Sequence, residues 1–303
     1  MDRWPMSVTL ALLLDALIGD PPALWQRLPH PVALVGRLIA MFEARFNRRN
    51  RREGVILLSL LVAGAGLIGL GIEWLPGGNV LSLLAAVIML AHGSLLQHVR
   101  AVSDGLDSSL EEGRQAVARI VGRDVRGLDE PGVVRAAVES AAENFSDGVV
   151  APAFWYAVLG LPGILIYKAV NTADSMVGHR NERYEAFGWA SARFDDLLNA
   201  VPARLAAVLI AGFDGRAHQI VRRDAGLHKS PSAGWPEAAM AARLGLSLAG
   251  PRSYHGRMSA DPWILPEGRR DGRSRDIRRA CSVLRQAFAF LLMLALLSDV
   301  VRW

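Results

Sequence analysis

The chain has 303 residues, of which 51% are hydrophobic and only 21% charged, and its formal net charge is +5. So large an apolar fraction is unusual for a soluble domain and favours a membrane protein. The single cysteine, Cys281, excludes an internal disulfide framework. Nucleic acid is not an expected partner, because the basic residues flank apolar stretches and no recognised nucleic-acid-binding motif is present.

Apolar segments recur along the chain and predict an all-α, polytopic membrane protein with about four to six membrane-embedded segments. They lie near residues 55–75, 80–97, 149–170, 197–213 and 283–301. The first of them follows a dense basic cluster that the positive-inside tendency places in the cytoplasm, formed by Arg45, Arg48, Arg49, Arg51 and Arg52. Two polar segments are both expected to face the cytoplasm. Residues 99–147 are predicted to be mostly helical, whereas residues 214–282 are rich in Gly, Pro and Ser.

The segment 149–170 contains Gly160-Leu-Pro-Gly163, which predicts a break in the helix. A plain crossing would place the polar residues 171–196 outside the cell, away from the other polar segments. A re-entrant segment would keep them in the cytoplasm, and irregular backbone is tolerated at membrane depth where protein or water covers it. The re-entrant interpretation is therefore preferred over the plain crossing.

A strip of acidic residues precedes this segment. Glu139 and Glu143 are four residues apart and project from one face of a predicted helix, and Asp147 follows one turn later. Gly148 is expected to end this helix. Three such carboxylates can hold Mg²⁺ through oxygen ligands, although a solvated helix face is the commoner role of charges at this spacing.

Residues 168–180 emerge directly from the apolar segment and carry Lys168, Asp174, His179 and Arg180. Because burying these groups unpaired would be costly, they are expected to pair with each other or to bind a ligand. Asp174 can take a metal or orient a nucleophile. His179 can move a proton near neutral pH, although a structural histidine is nearly as common.

Further arginines and aspartates lie downstream. Arg193 and Arg204, like Arg180, can bind phosphate oxygens or act as interfacial anchors. Arg204 lies within an apolar run and is expected to face a carboxylate or a polar cavity. Asp195 and Asp196 precede that run, where a favourable interaction with the positive end of a helix explains them sufficiently.

Together these segments resemble one family. The motifs occur in order over roughly residues 10–262, and they are Asp15-Ala-Leu-Ile-Gly-Asp-Pro21 with His30-Pro31, Glu139-Ser-Ala-Ala-Glu-Asn144, Asp147-Gly-Val-Val-Ala-Pro-Ala-Phe-Trp155, Tyr167-Lys-Ala-Val-Asn-Thr-Ala-Asp-Ser-Met-Val-Gly-His179 and Ser191-Ala-Arg-Phe-Asp-Asp196. They resemble the adenosylcobinamide-phosphate synthases of cobalamin biosynthesis, which are integral membrane enzymes. The sequence departs from the family pattern at Ser232, where Asn is usual, and at Leu248-Ala-Gly250, where Gly-Gly is usual.

The resemblance implies an ATP-dependent ligase that joins adenosylcobyric acid to (R)-1-aminopropan-2-ol O-phosphate, or to a close amino-alcohol phosphate, through an amide. It implies one membrane-embedded enzyme domain, residues 1–303, in the inner membrane with its active site facing the cytoplasm. Mg²⁺ is the expected cofactor and ATP a substrate, with the corrinoid, the amino-alcohol phosphate, membrane lipid and other cobalamin-pathway enzymes as candidate partners. A non-catalytic membrane sensor or regulator on the same scaffold and a small transporter are the alternative interpretations.

Charge type and placement, rather than the family, suggest individual roles. The expected catalytic residues are Glu139, Glu143, Asp174 and His179. The expected metal ligands are Glu139, Glu143, Asp147 and Asp174. Lys168, Arg180, Arg193 and Arg204 are expected to bind phosphates, with Asn144 and Asn171 orienting substrate.

Overall fold

The structure, a computed structural model, describes residues 7–21, 25–122, 124–179, 181–251, 253–254, 257–258 and 260–301. These residues are mainly helical, and their strands form two antiparallel pairs of two residues each, which confirms the all-α prediction. The helices are, in chain order, α1 (Val8–Ile18), α2 (Pro31–Phe46), α3 (Arg51–Trp74), α4 (Gly78–Met89), α5 (His92–Ser108), α6 (Leu110–Val117), α7 (Glu130–Phe145), α8 (Ala151–Val177), α9 (Trp189–Asn199), α10 (Pro202–Ala211), α11 (Gly215–Asp224), α12 (Gly234–Leu244) and α13 (Ser274–Val301). The strands are β1 (Leu248–Ala249), β2 (Ser253–Tyr254), β3 (Arg257–Met258) and β4 (Trp263–Ile264), with β1 paired to β4 and β2 to β3.

The chain divides into two compact units. Unit 1 comprises the described residues of 1–91, 151–199 and 295–303, and unit 2 comprises those of 92–150 and 200–294. The single enzyme domain over residues 1–303 stays a prediction.

Close packing in unit 1 depends on glycines of α3. A Cβ on Gly69 would lie 2.6 Å from backbone atoms of Pro162, and a Cβ on Gly54 would lie 1.8 Å from the carbonyl oxygen of Phe187. Larger residues would therefore separate α3 from its neighbours. The core next to these contacts consists of Ile39, Leu57, Ala173, Val177 and Phe187. It packs α2 and α3 against the last turns of α8, where several predicted site residues lie.

The predicted break in α8 is confirmed at Gly160, whose φ of 67° is a left-handed value that glycine adopts without strain. The break leaves the backbone N–H of Leu161 without a helical acceptor, and this N–H donates to Glu73 Oε1 at 2.8 Å. Glu73 comes from the last turns of α3. A carboxylate at the end of one apolar helix therefore stabilises the interruption of another. The re-entrant course of this segment stays a prediction.

In unit 2, α7 is buried along most of its length. Helices α5 and α13 are joined near their polar ends, where Asp107 accepts hydrogen bonds at 2.6 Å from both Ser274 and Arg278. Helices α10 and α12 also pack together, and Arg243 donates to the last carbonyls of α10, at Ile210 and Ala211. The two Arg243 bonds satisfy carbonyl groups that the end of a helix leaves without a partner.

Within the described residues, four helical stretches are long and apolar enough to cross a membrane: Arg51–Trp74, Gly78–Ser108, Glu130–Val177 and Ser274–Val301. They include the predicted segments 55–75 (apart from its last residue), 80–97, 149–170 and 283–301. The second stretch is interrupted at residues 90–91, between α4 and α5. The protein is thus a polytopic helical protein, as the sequence predicts.

The fifth predicted segment, 197–213, is not one continuous helix. Helix α9 ends at Asn199, and α10 begins at Pro202 and has only 10 residues. Proline lacks the N–H that would continue a helix but fits the first turn of a new one. At about 1.5 Å per residue, α10 is too short to cross the hydrocarbon core of a bilayer.

The expected helix end at Gly148 is also wrong. Residues Ser146–Val150 form a π-helical turn that leads from α7 directly into α8. The turn accommodates Gly148 with a wider helical spacing, so the glycine does not stop the helix. Asp147 lies within this turn and is half-buried.

Candidate functional site

The predicted residues of unit 1 gather at the end of α8. Lys168, Asn171 and Asp174 follow at three-residue spacing, so their side chains share one helical face. All three are half-buried. His179 lies just beyond the helix and is exposed, as is Arg193 on α9. Arg180 lies outside the described residues.

Asp195 of α9 accepts hydrogen bonds from two side-chain amides. Its Oδ2 accepts a hydrogen bond from Asn199 Nδ2 at 2.9 Å, and its Oδ1 accepts from Asn171 Nδ2 at 3.3 Å. Asn199 in turn accepts a hydrogen bond at 3.1 Å from the hydroxyl of Tyr167. The Asp195 side chain is buried, and its neighbour Asp196 is half-buried. A continuous polar network therefore joins α8 to α9.

The surroundings of Asp195 favour its protonated form. Burial, reinforced by the nearby charges of Asp174 and Asp196, raises the pKa of Asp195 to about 7, although the bonds from Asn171 and Asn199 oppose the shift. A carboxyl group with a pKa near 7 can both give and take a proton at neutral pH. Such perturbed groups are common at functional sites. Asp195 is therefore the strongest proton-transfer candidate in unit 1.

Sequence reasoning missed Asp195, because a carboxylate at the start of a helix has a sufficient explanation in the helix dipole. The available signal was spacing. Asp195 and Asn199 are four apart, as are Tyr167 and Asn171, so each pair shares a helical face. Two polar pairs of this kind beside apolar stretches indicate a buried network. His179 stays a predicted base, but it is exposed and lies outside this network.

Residues of the N-terminal motif lie close to the same end of α8. The Nδ1 of His30 accepts a hydrogen bond from the N–H of Val32 at 3.2 Å and so caps α2. Burial lowers the pKa of His30, with the nearby Asp20 opposing the shift and Lys168 adding to it. Asp20 and His30 thus lie near Lys168, although about 140 residues separate them in the chain.

An ion pair orders the turn that follows α8. Arg183 donates to Glu43 through Nε and Nη2 at 2.8 and 2.9 Å, and this bidentate geometry matches the planar guanidinium to the carboxylate. Asn47 Nδ2 bonds both to Glu43 and to the carbonyl of Arg183. The Arg183 bonds, with those of Asn47, lower the pKa of Glu43. Helix α2 thereby fixes the turn that carries His179.

In unit 2, the predicted acidic strip divides into different environments. Glu139 is buried, and its Oε1 accepts a hydrogen bond at 2.7 Å from the backbone N–H of Ala249. Glu143 and Asn144 are exposed, and Asn144 donates back to Ser140 of its own helix. Glu139 and Glu143 thus lie on the same helix but differ in burial, and the roles expected of both stay predictions. Glu139 positions a loop with one of its oxygens.

The described residues contain no group of three or more His, Cys, Asp or Glu side chains that could hold a metal ion. Glu139, Glu143 and Asp147 belong to unit 2, and Asp174 belongs to unit 1. Mg²⁺ that is shared with substrate phosphates needs only one or two protein carboxylates. The metal site stays a prediction.

Arg204 differs from expectation. Its guanidinium carbon lies 4.3 Å from the ring centroid of Trp235, and its Nη1 donates to the carbonyl of Ala200. The residue is exposed. Stacking on an aromatic ring and bonding to a helix carbonyl stabilise a guanidinium beside apolar surface without a carboxylate. The N–H donors of Arg204 that do not bond to Ala200 can still bind a phosphate.

Two residues in the β1–β4 region have left-handed backbone conformations. Ala249 has φ of 56° and Leu265 has φ of 54°. The N–H of Ala249 is held by Glu139, and that of Leu265 by the buried Asp224 at 2.9 Å. A left-handed conformation costs a residue with a Cβ about 1–2 kcal/mol. The two carboxylates offset part of this cost.

Comparison with known proteins places the chain among relatives. The model of the CobD/Cbib protein family matches residues 8–284. The chain belongs to the CobD/Cbib family. It is similar to proteins named "Cobalamin biosynthesis protein CobD" from Sinorhizobium fredii (47% identical over 95% of this chain and 97% of the relative), Brucella anthropi (45%, 97% and 96%) and Rhodobacter capsulatus (46%, 93% and 93%). No solved structure matches the chain.

Both departures from the pattern of this family lie in unit 2. Ser232 lies in the turn before α12, where its hydroxyl is 3.0 Å from that of Ser230. Ala249 lies at the left-handed position, where the family usually has glycine. A glycine there would adopt this φ without steric cost. The next residue, Gly250, cannot be replaced as easily, because a Cβ there would lie 2.5 Å from the ring of Trp263.

We predict that Ala249→Gly stabilises the protein by about 0.5–1 kcal/mol, because relief of the left-handed strain exceeds the larger chain entropy of glycine. The measurement is thermal unfolding in detergent. Ala40→Gly, in the interior of α2, is the matched control and should destabilise by about 1 kcal/mol. Equal losses for both variants would contradict the strain at Ala249.

Asp195 should make stability depend on pH. Folding raises the pKa of Asp195 from its ordinary value of 3.8 to about 7. The carboxyl group therefore contributes its full stabilisation of the folded protein below pH 3.8, and this stabilisation is lost as the pH rises through about 7. The midpoint of thermal unfolding should therefore fall between pH 4 and pH 7 less steeply in Asp195→Asn than in the natural protein. The exposed Glu185 offers the control variant Glu185→Gln. Identical pH profiles for all three proteins would exclude a raised pKa at Asp195.

Proposed function

We propose that this protein acts in cobalamin biosynthesis as an ATP-dependent ligase. It joins a side-chain carboxylate of adenosylcobyric acid to the amine of (R)-1-aminopropan-2-ol O-phosphate, or of a close amino-alcohol phosphate. Membership of the CobD/Cbib family and the names of its relatives support the pathway. The structural observation that supports a ligase is the buried Asp195 network beside Lys168.

The proposed reaction needs an activated carboxylate. A carboxylate is a poor acyl donor, so its oxygen first attacks the γ-phosphorus of ATP, which gives an acyl phosphate and ADP. The amine starts as an ammonium ion and first gives one proton to a base. The neutral amine then attacks the acyl carbon, phosphate leaves, and the second proton that the nitrogen loses passes to the departing phosphate. The products are the amide, ADP and phosphate. The protein therefore has to bind phosphates and to accept the proton of the ammonium.

Asp195 suits the proton-accepting role. An amine is protonated at neutral pH and cannot attack in that state. A carboxylate with a pKa of about 7 can take the proton when the amine approaches and can release it to water afterwards. The amide groups of Asn171 and Asn199 hold the carboxylate in place during this cycle. Burial raises this pKa, and the negative charge of Asp174, on the same face of α8 as Asn171, adds to the effect.

Cationic side chains suit the phosphate-binding role. Lys168 lies on the same face of α8 as Asn171, and Arg193 projects from α9 into solvent. Both can stabilise charge on phosphate oxygens. The roles suggested for Glu143, Asn144 and Arg204 of unit 2 stay predictions, as does the participation of Arg180 and His179.

The proposed location is the inner membrane, with the site open to the cytoplasm. Four apolar helical stretches support a membrane location. The basic residues at the start of α3 favour the cytoplasmic side for that end. Arg51 stacks on Trp189 of α9 at 4.7 Å, so the first turn of α9 lies beside the same basic end of α3. ATP is available on this side.

Asp195→Asn should reduce product formation by at least about 100-fold, the typical contribution of a general base. The assay measures ADP release that depends on both adenosylcobyric acid and the amino-alcohol phosphate, in membranes with matched protein levels. His179→Ala is the comparison variant and should retain most of the activity. Full activity in Asp195→Asn with loss in His179→Ala would assign the base to His179 instead. ADP release that needs neither substrate would contradict the ligase.

Labelling from each side of the membrane tests the orientation. Cys281→Ser removes the only native cysteine, and Glu185→Cys then places a thiol in the exposed turn after α8. A membrane-impermeant maleimide should label this thiol in inverted vesicles but not in intact spheroplasts. Labelling only in spheroplasts would place the Asp195 network on the outer side and overturn the proposed orientation.

A further inference from the structure

A cavity of about 420 Å³ lies in unit 2 between α5 and α13. This volume is in the range of small-molecule sites, roughly 300–1,000 Å³. The polar lining consists of Gln97, Arg100 and Asp104 from α5 and Arg285 from α13. Gly93 and Leu96 continue the lining with apolar surface toward the start of α5. The cavity therefore has a charged part and an apolar part.

The three charged side chains of this cavity converge and do not neutralise one another. Each lies within electrostatic range of the buried thiol of Cys281. Over the part of the chain that the structure describes, the side chain of Arg100 has no hydrogen-bond or ion-pair partner, and that of Asp104 accepts only from Ser103, at 3.3 Å. Arg285 donates from Nε to the carbonyl of Cys281, a neutral acceptor. Two positive charges and one negative charge thus stay available to a ligand.

The position of the cavity along the two helices indicates the membrane surface. Helices α5 and α13 both belong to stretches that are long and apolar enough to cross a membrane. On α13, Arg285 is the last charged residue before Asp299. Beyond Arg285 the helix exposes apolar side chains, at Met293, Leu294, Leu296 and Leu297. Arginines at such a transition lie at the level of lipid phosphates, and basic pockets between membrane helices bind anionic headgroups.

The charges and hydrogen-bonding groups of the cavity restrict its ligand. Two guanidinium groups and one carboxylate leave one net positive charge, which a phosphodiester with a single negative charge neutralises. Guanidinium groups bind phosphate oxygens through paired N–H donors. Asp104 would repel the second charge of a phosphate monoester, whereas its carboxylate can accept hydrogen bonds from hydroxyl groups. An anionic phosphodiester that also carries hydroxyl groups therefore fits best.

We propose that this cavity binds the headgroup of an anionic phospholipid of the phosphatidylglycerol type. The phosphodiester lies on Arg100 and Arg285, and the hydroxyls of the terminal glycerol donate to Asp104. The acyl chains follow the apolar surface that begins at Leu96 and Gly93. The site uses none of the residues assigned to the ligase, and its ligand is a membrane lipid that the ligase reaction does not consume.

Native mass spectrometry of the full-length protein released from nanodiscs tests the site. The nanodiscs contain equal amounts of phosphatidylglycerol, phosphatidylethanolamine and phosphatidylcholine. The natural protein should retain phosphatidylglycerol preferentially, and Arg100→Gln and Arg285→Gln should each reduce this retention by at least about tenfold. Arg100→Lys keeps the charge and should retain part of the preference, which separates a lost contact from misfolding. Arg275→Gln removes the same charge from α13 outside the cavity and should change nothing.

The hydroxyl contact is tested with phosphatidylmethanol, which has the same phosphodiester charge but no hydroxyl in its headgroup. From nanodiscs that contain both anionic lipids, the natural protein should retain phosphatidylglycerol at least about tenfold better than phosphatidylmethanol. Asp104→Ala should retain the two lipids equally and without loss of the total amount, because the phosphodiester contacts are intact. Equal retention of both lipids by the natural protein would contradict the assignment of Asp104 and overturn the proposed headgroup.

Soluble phosphates distinguish this site from a part of the ligase site. ATP and (R)-1-aminopropan-2-ol O-phosphate, added to the nanodiscs before release, should leave the retention of phosphatidylglycerol unchanged. Displacement of the lipid by either compound would assign Arg100 and Arg285 to the ligase reaction and overturn the proposal. Equal retention of all lipids, or a preference that survives all three cavity variants, would also overturn it. Because retention is measured without turnover, failure of the proposed ligase function would leave this result unaffected.

Discussion

At four irregular points of this protein, backbone N–H groups are bound by carboxylates from distant parts of the chain. A buried N–H without an acceptor costs about 1–3 kcal/mol, so these bonds stabilise the irregular backbone. The pairs are Leu161 with Glu73, Ala249 with Glu139, Leu265 with Asp224, and the first turn of α1 with Asp299. Acidic residues that appear isolated within apolar sequence thus permit the non-helical geometry that the fold requires.

The membrane helices and the break at Gly160 could be predicted from the sequence, because length, apolarity and the Gly-Pro pattern are local properties. The interruption after Asn199 was missed, although Pro202 is a local signal for the start of a new helix. The π-helical turn at Gly148 was hidden, because no composition signal separates a wider helical turn from a helix end.

Part of the candidate site was visible in the same way. The shared face of Lys168, Asn171 and Asp174 follows from their spacing alone. Asp195 was hidden because its burial depends on how α8 and α9 pack. The spacing of Glu139 and Glu143 predicts their shared helix face, but it could not show that Glu139 is buried and bonds to the N–H of Ala249 while Glu143 is exposed. Spacing predicts which side chains share a face, whereas packing decides which of them meet solvent.

The capping of α1 by Asp299 has a consequence for biosynthesis. Ser7, Val8 and Thr9 all donate to this carboxylate, which lies about 290 residues later in the chain. Glu73 likewise leaves the ribosome 88 residues before Leu161. During translation, the contact with Asp299 can form only after α13 has been made, and the contact of Glu73 with Leu161 only after that part of α8 has been made. The first turn of α1 therefore completes its hydrogen bonds only after α13 has been synthesised.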